Sequence, residues 1–120
     1  MTLSSSFKIG DRQIGGDAPC FVIAEAGVAH FGDFDKALKL VDLSVEEGAD
    51  AVKFQMFDVE RMITAQSQEW RDRLAPRALA PERFREIQAY AKEQGVLFIC
   101  TAHEEDSFDF LESLAVPAHK

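Results

Sequence analysis

Gly48-Ala49-Asp50-Ala51-Val52-Lys53-Phe54-Gln55-Met56-Phe57 is the stretch that decides the fold. Gly48 has the character of a helix stop. From Ala51 to Phe57 the residues alternate, so Val52, Phe54 and Met56 share one face of a strand while Lys53 and Gln55 share the other. The residues before it carry helical spacing: Phe34, Ala37, Leu38, Val41 and Val45 form an apolar stripe, with Asp35, Lys36, Lys39, Asp42 and Glu46 on the rest of the surface. Asp33 is suited to cap that helix. A helix feeding directly into a strand that is apolar toward it is the repeating unit of a parallel α/β sheet.

Working toward the amino end, Phe21-Val22-Ile23-Ala24-Glu25 is an almost continuous apolar run, as in a strand covered on both faces. Phe7 to Ile9 and Gln13 to Ile14 flank Gly10-Asp11-Arg12 and read as a short hairpin. Toward the carboxyl end, Pro81 opens a second helix with Phe84, Ile87 and Ala91 buried and Gly95 as its stop. Val96 to Cys100 is a third strand. A further helix around Phe108, Leu111, Leu114 and Ala115 leads into Val116-Pro117-Ala118-His119-Lys120. Strands alternating with helices give parallel units with right-handed crossovers, an order compatible with an open sheet or a closed barrel. Ala26 to Gly32 does not match the G-x-G-x-x-G phosphate fingerprint, which argues against dinucleotide binding.

The connection from Met56 to Ala80 is about five times the usual length for a strand-to-helix loop. It holds Trp70 and a mixed-charge segment, Gln66 to Leu74, with helical character, so an ordered excursion is expected. Loops after the strands make the ligand site in parallel α/β folds, and this one is expected to overhang it.

The chain has 120 residues, 47% apolar and 28% charged, with 21 acids against 13 Lys and Arg for a formal charge of -8. No basic run offsets this, which argues against nucleic acid and anionic membranes as partners. A small anionic ligand would need local, placed cations. The start lacks the features of a signal peptide and no apolar run reaches the length of a membrane span, so the cytoplasm is the expected compartment. Cys20 and Cys100 each adjoin an apolar run without zinc spacing and are expected to be buried free thiols.

Helices pack outside a barrel sheet, which turns Lys53 and Gln55 toward the axis. The same parity brings Glu25 inward with Ile23 and Phe21, and Thr101 inward with Ile99. Lys and Glu are rarely buried unpaired, so each needs compensation. A structural Glu25–Lys53 ion pair satisfies that need. So does a site for a small anion, with Lys53 supplying charge, Thr101 and Gln55 hydrogen bonds, and Lys120 a second cation. His30, His103 and His119 show no metal-binding spacing and read as surface or hydrogen-bonded residues. Glu104-Glu105-Asp106 suit the first turn of the following helix, where acids complement the dipole.

From Phe7 to Lys120 the chain resembles the N-acetylneuraminate (sialic acid) synthase family. The likeness is carried by Phe7-Lys8-Ile9-Gly10 with Ile14-Gly15, by Phe21 to Gly27, by Gly48 to Gln55, by Leu97 to Thr101 and by Val116 to Lys120, in that order and spacing. The resemblance implies a partial (β/α)8 TIM barrel: residues 1-20 as a tail and hairpin, and residues 21-120 as the N-terminal portion of the barrel, C-terminally truncated, with about three βα units and the start of a fourth strand. It also implies condensation of phosphoenolpyruvate with an N-acetylated amino sugar of the N-acetylmannosamine type, giving a nine-carbon 2-keto sugar acid and phosphate. Lys53, Thr101 and Lys120 fall on positions that hold phosphoenolpyruvate, Glu25 on a catalytic carboxylate, and Gln55 on a positioning residue. A divalent metal, Mn or Mg, takes its ligands from later strands, and the complete enzyme is a homodimer completed by an antifreeze-like domain. Alone, the 120-residue chain is expected to be inactive and to associate.

The chain departs from the family at Ala29-His30-Phe31-Gly32, where Asn-His-Asn-Gly is common, and at Thr101-Ala102-His103, where Thr-Pro-Phe is frequent. Ala80 replaces a Ser cap at a cost of about 1 kcal/mol of helix stability. Two other readings fit the residues: another phosphoenolpyruvate-condensing or aldolase-type barrel, and a non-catalytic half-barrel that binds phosphate or assembles with another chain.

Overall fold

The computed structural model describes residues 5–120, so the first four residues of the expected tail lie outside the described residues. Strands β1 (Ser6–Ile9) and β2 (Arg12–Gly15) form an antiparallel hairpin with Phe7 opposite Ile14. Arg12 belongs to the second strand rather than to the turn, and this frees its side chain to reach Asp50 at 2.5 Å. Asp50 also accepts the Val22 amide at 2.8 Å and returns its own amide to the Val22 carbonyl at 2.8 Å. The Val22 amide, with Arg12 beside it, holds the Asp50 carboxyl below the usual range against the opposing effect of burial. One carboxylate thereby ties the hairpin, the segment before the first parallel strand, and the start of the second.

Three parallel strands follow, β3 (Ile23–Gly27), β4 (Ala51–Met56) and β5 (Leu97–Ala102), in the order β3-β4-β5. Their register sets Glu25 opposite Lys53, Lys53 opposite Ile99, and Gln55 opposite Thr101. Helix α1 (Phe34–Glu46) begins where Asp33 accepts the Lys36 amide at 3.1 Å. Helix α4 (Pro81–Gln94) and helix α5 (Glu105–Ser113) complete one layer on one face of the sheet. Val52, Phe54 and Met56 of β4 meet Phe98 and Cys100 of β5 and Ala37, Val41, Phe84, Ile87 and Leu111 of the helices in one buried core. Tyr90 donates to Asp42 at 2.6 Å, joining α4 to α1. That bond comes first among the causes raising the Tyr90 phenol above its ordinary value.

Several expectations are corrected. The first parallel strand runs from Ile23 to Gly27, not from Phe21 to Glu25, because Val22 is committed to Asp50. It is an edge strand covered on one face only, and Val22 and Ile23 are exposed. Cys20 lies in the link ahead of that strand and is exposed, whereas Cys100 is a buried free thiol as expected. Burial pushes the Cys100 thiol up to about 12, far from nucleophilic range. On α1 the buried position is Ser44, not Val45, which is 36% exposed; Ser44 satisfies its hydroxyl on the Leu40 carbonyl at 2.7 Å. Phe108 is exposed to solvent on one side and meets the His119 ring on the other.

The excursion after β4 is ordered, as expected: α2 (Val59–Met62), α3 (Gln68–Leu74) and a 3-10 turn, Ala75–Arg77. Among the described residues no helix is long and apolar enough to cross a membrane.

Candidate functional site

The alternation in β4 sends its odd-numbered side chains to the face away from the helices. Lys53 is the most enclosed of the charges there, its side chain only 12% exposed, and it forms an ion pair with Glu25, whose side chain is 48% exposed. The pair joins adjacent strands at the same level, as the register requires. Two residues further along, Gln55 of β4 lies opposite Thr101 of β5 on the same face. An ammonium, an amide and a hydroxyl therefore sit within two residues of strand length, with a carboxylate beside them. Three are donors to an anion and the fourth is an acceptor.

Between Glu25 and Gly27 the pairing slips by one residue, so that Gly27 stands opposite Phe54 instead of Gln55. This bulge was missed in the sequence, where the only signal is a glycine closing a strand pattern. Gly27 has φ of 53°, and a Cβ placed on it would lie 3.1 Å from Oε1 of Glu25 and 3.5 Å from Nε2 of Gln55. The glycine backbone is in effect a wall of the cluster.

Lys120 follows His119, along the edge of β5 away from β4. His119 makes an isolated parallel bridge to Cys100, and its ring faces α5, 2.5 Å from Glu112 and 4.6 Å from the Phe108 ring centroid. Continuing that register by one residue puts Lys120 level with Thr101, on the opposite side from His119. Its side chain is exposed.

The histidines differ in environment. His103 is exposed, edge-on to Phe57. His30 is fully buried and takes the second of the two expected readings, a hydrogen-bonded residue: Nδ1 accepts the Gly32 amide at 3.0 Å. Burial lowers its pKa below the ordinary 6.5, with Asp33 acting weakly the other way, so the ring is held neutral. Next to it, Phe31 adopts φ of 52° and lies under the Arg77 guanidinium at 4.7 Å. Gly32 is pressed so closely to the Pro76 carbonyl that a Cβ would fall 2.2 Å from that oxygen. The excursion thus docks on the loop after β3, and its Arg61 pairs with Asp106 of α5 at 2.9 Å.

Glu104 caps α5, accepting the Ser107 amide at 3.0 Å, and also accepts the Asp58 amide at 3.2 Å. Burial works to raise its carboxyl, but the bonds from Ser107 and Asp58 outweigh it and hold it below its ordinary value. The acids at 104–106 are accounted for by the helix start. A cavity of about 590 Å³ lies beneath the excursion, lined by Phe57, Val59, Leu79 and Phe110 among others. None of Glu25, Lys53, Gln55, Thr101 or Lys120 lines it. Among the described residues, no three His, Cys, Asp or Glu side chains are grouped so as to hold a metal ion.

A profile of the NeuB family matches residues 40–120. The chain is 37% identical to an N,N'-diacetyllegionaminic acid synthase of Legionella pneumophila, covering 95% of this chain and 36% of that one. It is 35% identical to the spore coat polysaccharide biosynthesis protein SpsE of Bacillus subtilis, covering 97% and 34%. The solved N-acetylneuraminic acid (sialic acid) synthetase of Leptospira borgpetersenii, in complex with citrate, superposes with a TM-score of 0.88 at 28% identity, over 94% of this chain and 39% of that one. The chain spans about a third of the length of the curated relatives it matches.

Proposed function

The chain belongs to the NeuB family, and from that premise we propose that it forms part of a sialic acid synthase-type enzyme condensing phosphoenolpyruvate with an N-acetylated amino sugar of the N-acetylmannosamine type. The enol carbon of phosphoenolpyruvate bonds to the sugar aldehyde carbon, water adds to the cationic carbon left behind, and phosphate departs, leaving a nine-carbon 2-keto sugar acid. In this reading Lys53, Thr101 and Lys120 grip the phosphate and carboxylate of the donor. Glu25 stabilises the cationic carbon or orients the water, and Gln55 positions the ligand.

The observation that carries the proposal is the enclosed Lys53 ammonium on the face the helices leave uncovered, in a chain of net charge -8. An acidic chain repels a triply anionic donor at a distance, so capture requires a cation at the point of contact. The proposed Leptospira counterpart was solved with citrate, itself a small polyanion, which is in keeping with that chemistry.

The proposed architecture is a (β/α)8 barrel in which residues 1-20 are the tail and hairpin and residues 21-120 the first strands and helices, working as a homodimer. A divalent ion, Mn or Mg, would act as a Lewis acid on the sugar aldehyde. The residues described here do not fit a metal site, so its ligands would come from outside them, and no role assigned above depends on it.

The test is a chimera in which residues 5–120 replace the matching part of the Leptospira synthetase. Phosphate release that needs both phosphoenolpyruvate and N-acetylmannosamine, and is abolished by Lys53→Met, is the expected result. A folded chimera that releases phosphate equally well with Met at position 53 would sink the proposal.

A further inference from the structure

We infer that Gly27 is a positioning residue: its bare Cα leaves the space in which the Glu25 carboxylate lies against Lys53. In an unbroken ladder residue 27 would pair with Gln55 and project a side chain beside Glu25. The bulge moves it opposite Phe54 instead, with a left-handed backbone. A single methyl there would approach Oε1 of Glu25 to 3.1 Å, tighter than ordinary contact, and Cδ of the same carboxylate to 4.0 Å. The other oxygen of that carboxylate, Oε2, is the one paired with the Lys53 ammonium. Retreat by Oε1 therefore rotates or withdraws Oε2 from its partner. On the other side Nε2 of Gln55 already stands in van der Waals contact at 3.5 Å, so the methyl has little room to move that way. A side chain at 27 therefore presses on the Glu25 carboxylate, and the glycine sets the geometry of the pair as well as the turn of the chain.

The inference deepens the proposed function, because Glu25 is its catalytic carboxylate, yet the first readout needs no substrate. The intact chain, labelled with 15N-lysine, gives the exchange rate of the Lys53 ammonium protons with water by NMR. Gly27→Ala is expected to speed that exchange about fivefold, the factor carried by roughly 1 kcal/mol of ion pairing, to the level of Glu25→Gln. In the Glu25→Gln background Gly27→Ala is expected to add nothing. Gly27→Asn keeps the left-handed backbone at little cost while adding a Cβ, so it decides the matter should the alanine variant fail to fold. Unchanged exchange in the folded variants, or an equal increment with and without the Glu25 carboxylate, overturns the inference. A phosphoenolpyruvate titration of the chimera carrying residues 5–120 separates the two ideas. If the wild-type chain shows the exchange pattern but the folded chimera binds no phosphoenolpyruvate, the proposed function falls and the role of Gly27 stands.

Discussion

His30 receives the Gly32 amide on Nδ1 at 3.0 Å while its ring is wholly shut off from solvent, leaving Nε2 with no hydrogen-bond partner among the described residues. An imidazolium could not accept that amide and would place a charge in the core beside Phe54, whose ring centroid is 6.1 Å away. The folded pKa therefore lies below 6.5, the unfolded one near it. Below about pH 6.5 the unfolded chain binds the extra proton first, so stability falls as the solution is acidified and recovers above it. Urea unfolding at pH 5.5 and 7.5 should show this slope, and His30→Asn, which can still accept the Gly32 amide but does not titrate, should flatten it. An identical slope in both proteins would mean His30 is not the group responsible.

Phe31 holds a left-handed backbone that costs a non-glycine residue about 1 to 2 kcal/mol. Its contact with Arg77 returns only about 0.5 to 1 kcal/mol at an exposed site. Asn accommodates that backbone, so Phe31→Asn should raise stability by about 0.5 to 1 kcal/mol. Phe31→Ala gives up the ring without relieving the backbone and should lower it. Thermal melts of the two variants should move in opposite directions.

Helix α4 starts at Ala80 without any side-chain cap. The backbone at Ala80 is already extended, as a capping residue requires. Ala80→Ser should therefore add about 1 kcal/mol. The check is a denaturation midpoint; no change, or a loss, would show that the first turn of α4 is satisfied in another way.

Lys53→Met keeps the length of the side chain and removes its charge. Because Glu25 is half exposed, water can solvate the abandoned carboxylate, and stability should stay within about 1 kcal/mol of the parent. Under the proposed function phosphoenolpyruvate affinity should fall at least about tenfold, because the displaced charge is the one assigned to the anion. Equal loss of folding and of binding would assign Lys53 to the scaffold.

The architecture was readable where a residue's local chemistry and its tertiary role agree. Asp33 caps because a short acceptor at a helix start does so anywhere, and Lys53 and Gln55 face away from Phe54 because strand parity leaves no alternative. The Glu25–Lys53 pair followed from that parity. What escaped depends on partners remote in sequence. Val22 is drawn out of the strand by Asp50, 28 positions on. Ser44 is a local exception: it keeps the helical spacing of Ala37 and Val41, and its buried hydroxyl is satisfied by the Leu40 carbonyl four residues back. His30 is buried by Phe54 and by the loop it fastens, and the slip at Gly27 is visible only once Lys53 and Phe54 are known to be its neighbours. Cys20 was misjudged because apolar neighbours in sequence do not become a core unless a second layer covers them.

The alternation of β4 has a consequence for any library of substitutions across positions 51–56. Even-numbered positions abut the helical layer and odd-numbered positions 53 and 55 do not. Lesions at 52, 54 and 56 should surface as poor expression, whereas those at 53 and 55 should yield abundant but inert protein. From position 52 onward the strand would thus segregate its variants by parity into two phenotypes, and screening on yield alone would overlook those at 53 and 55.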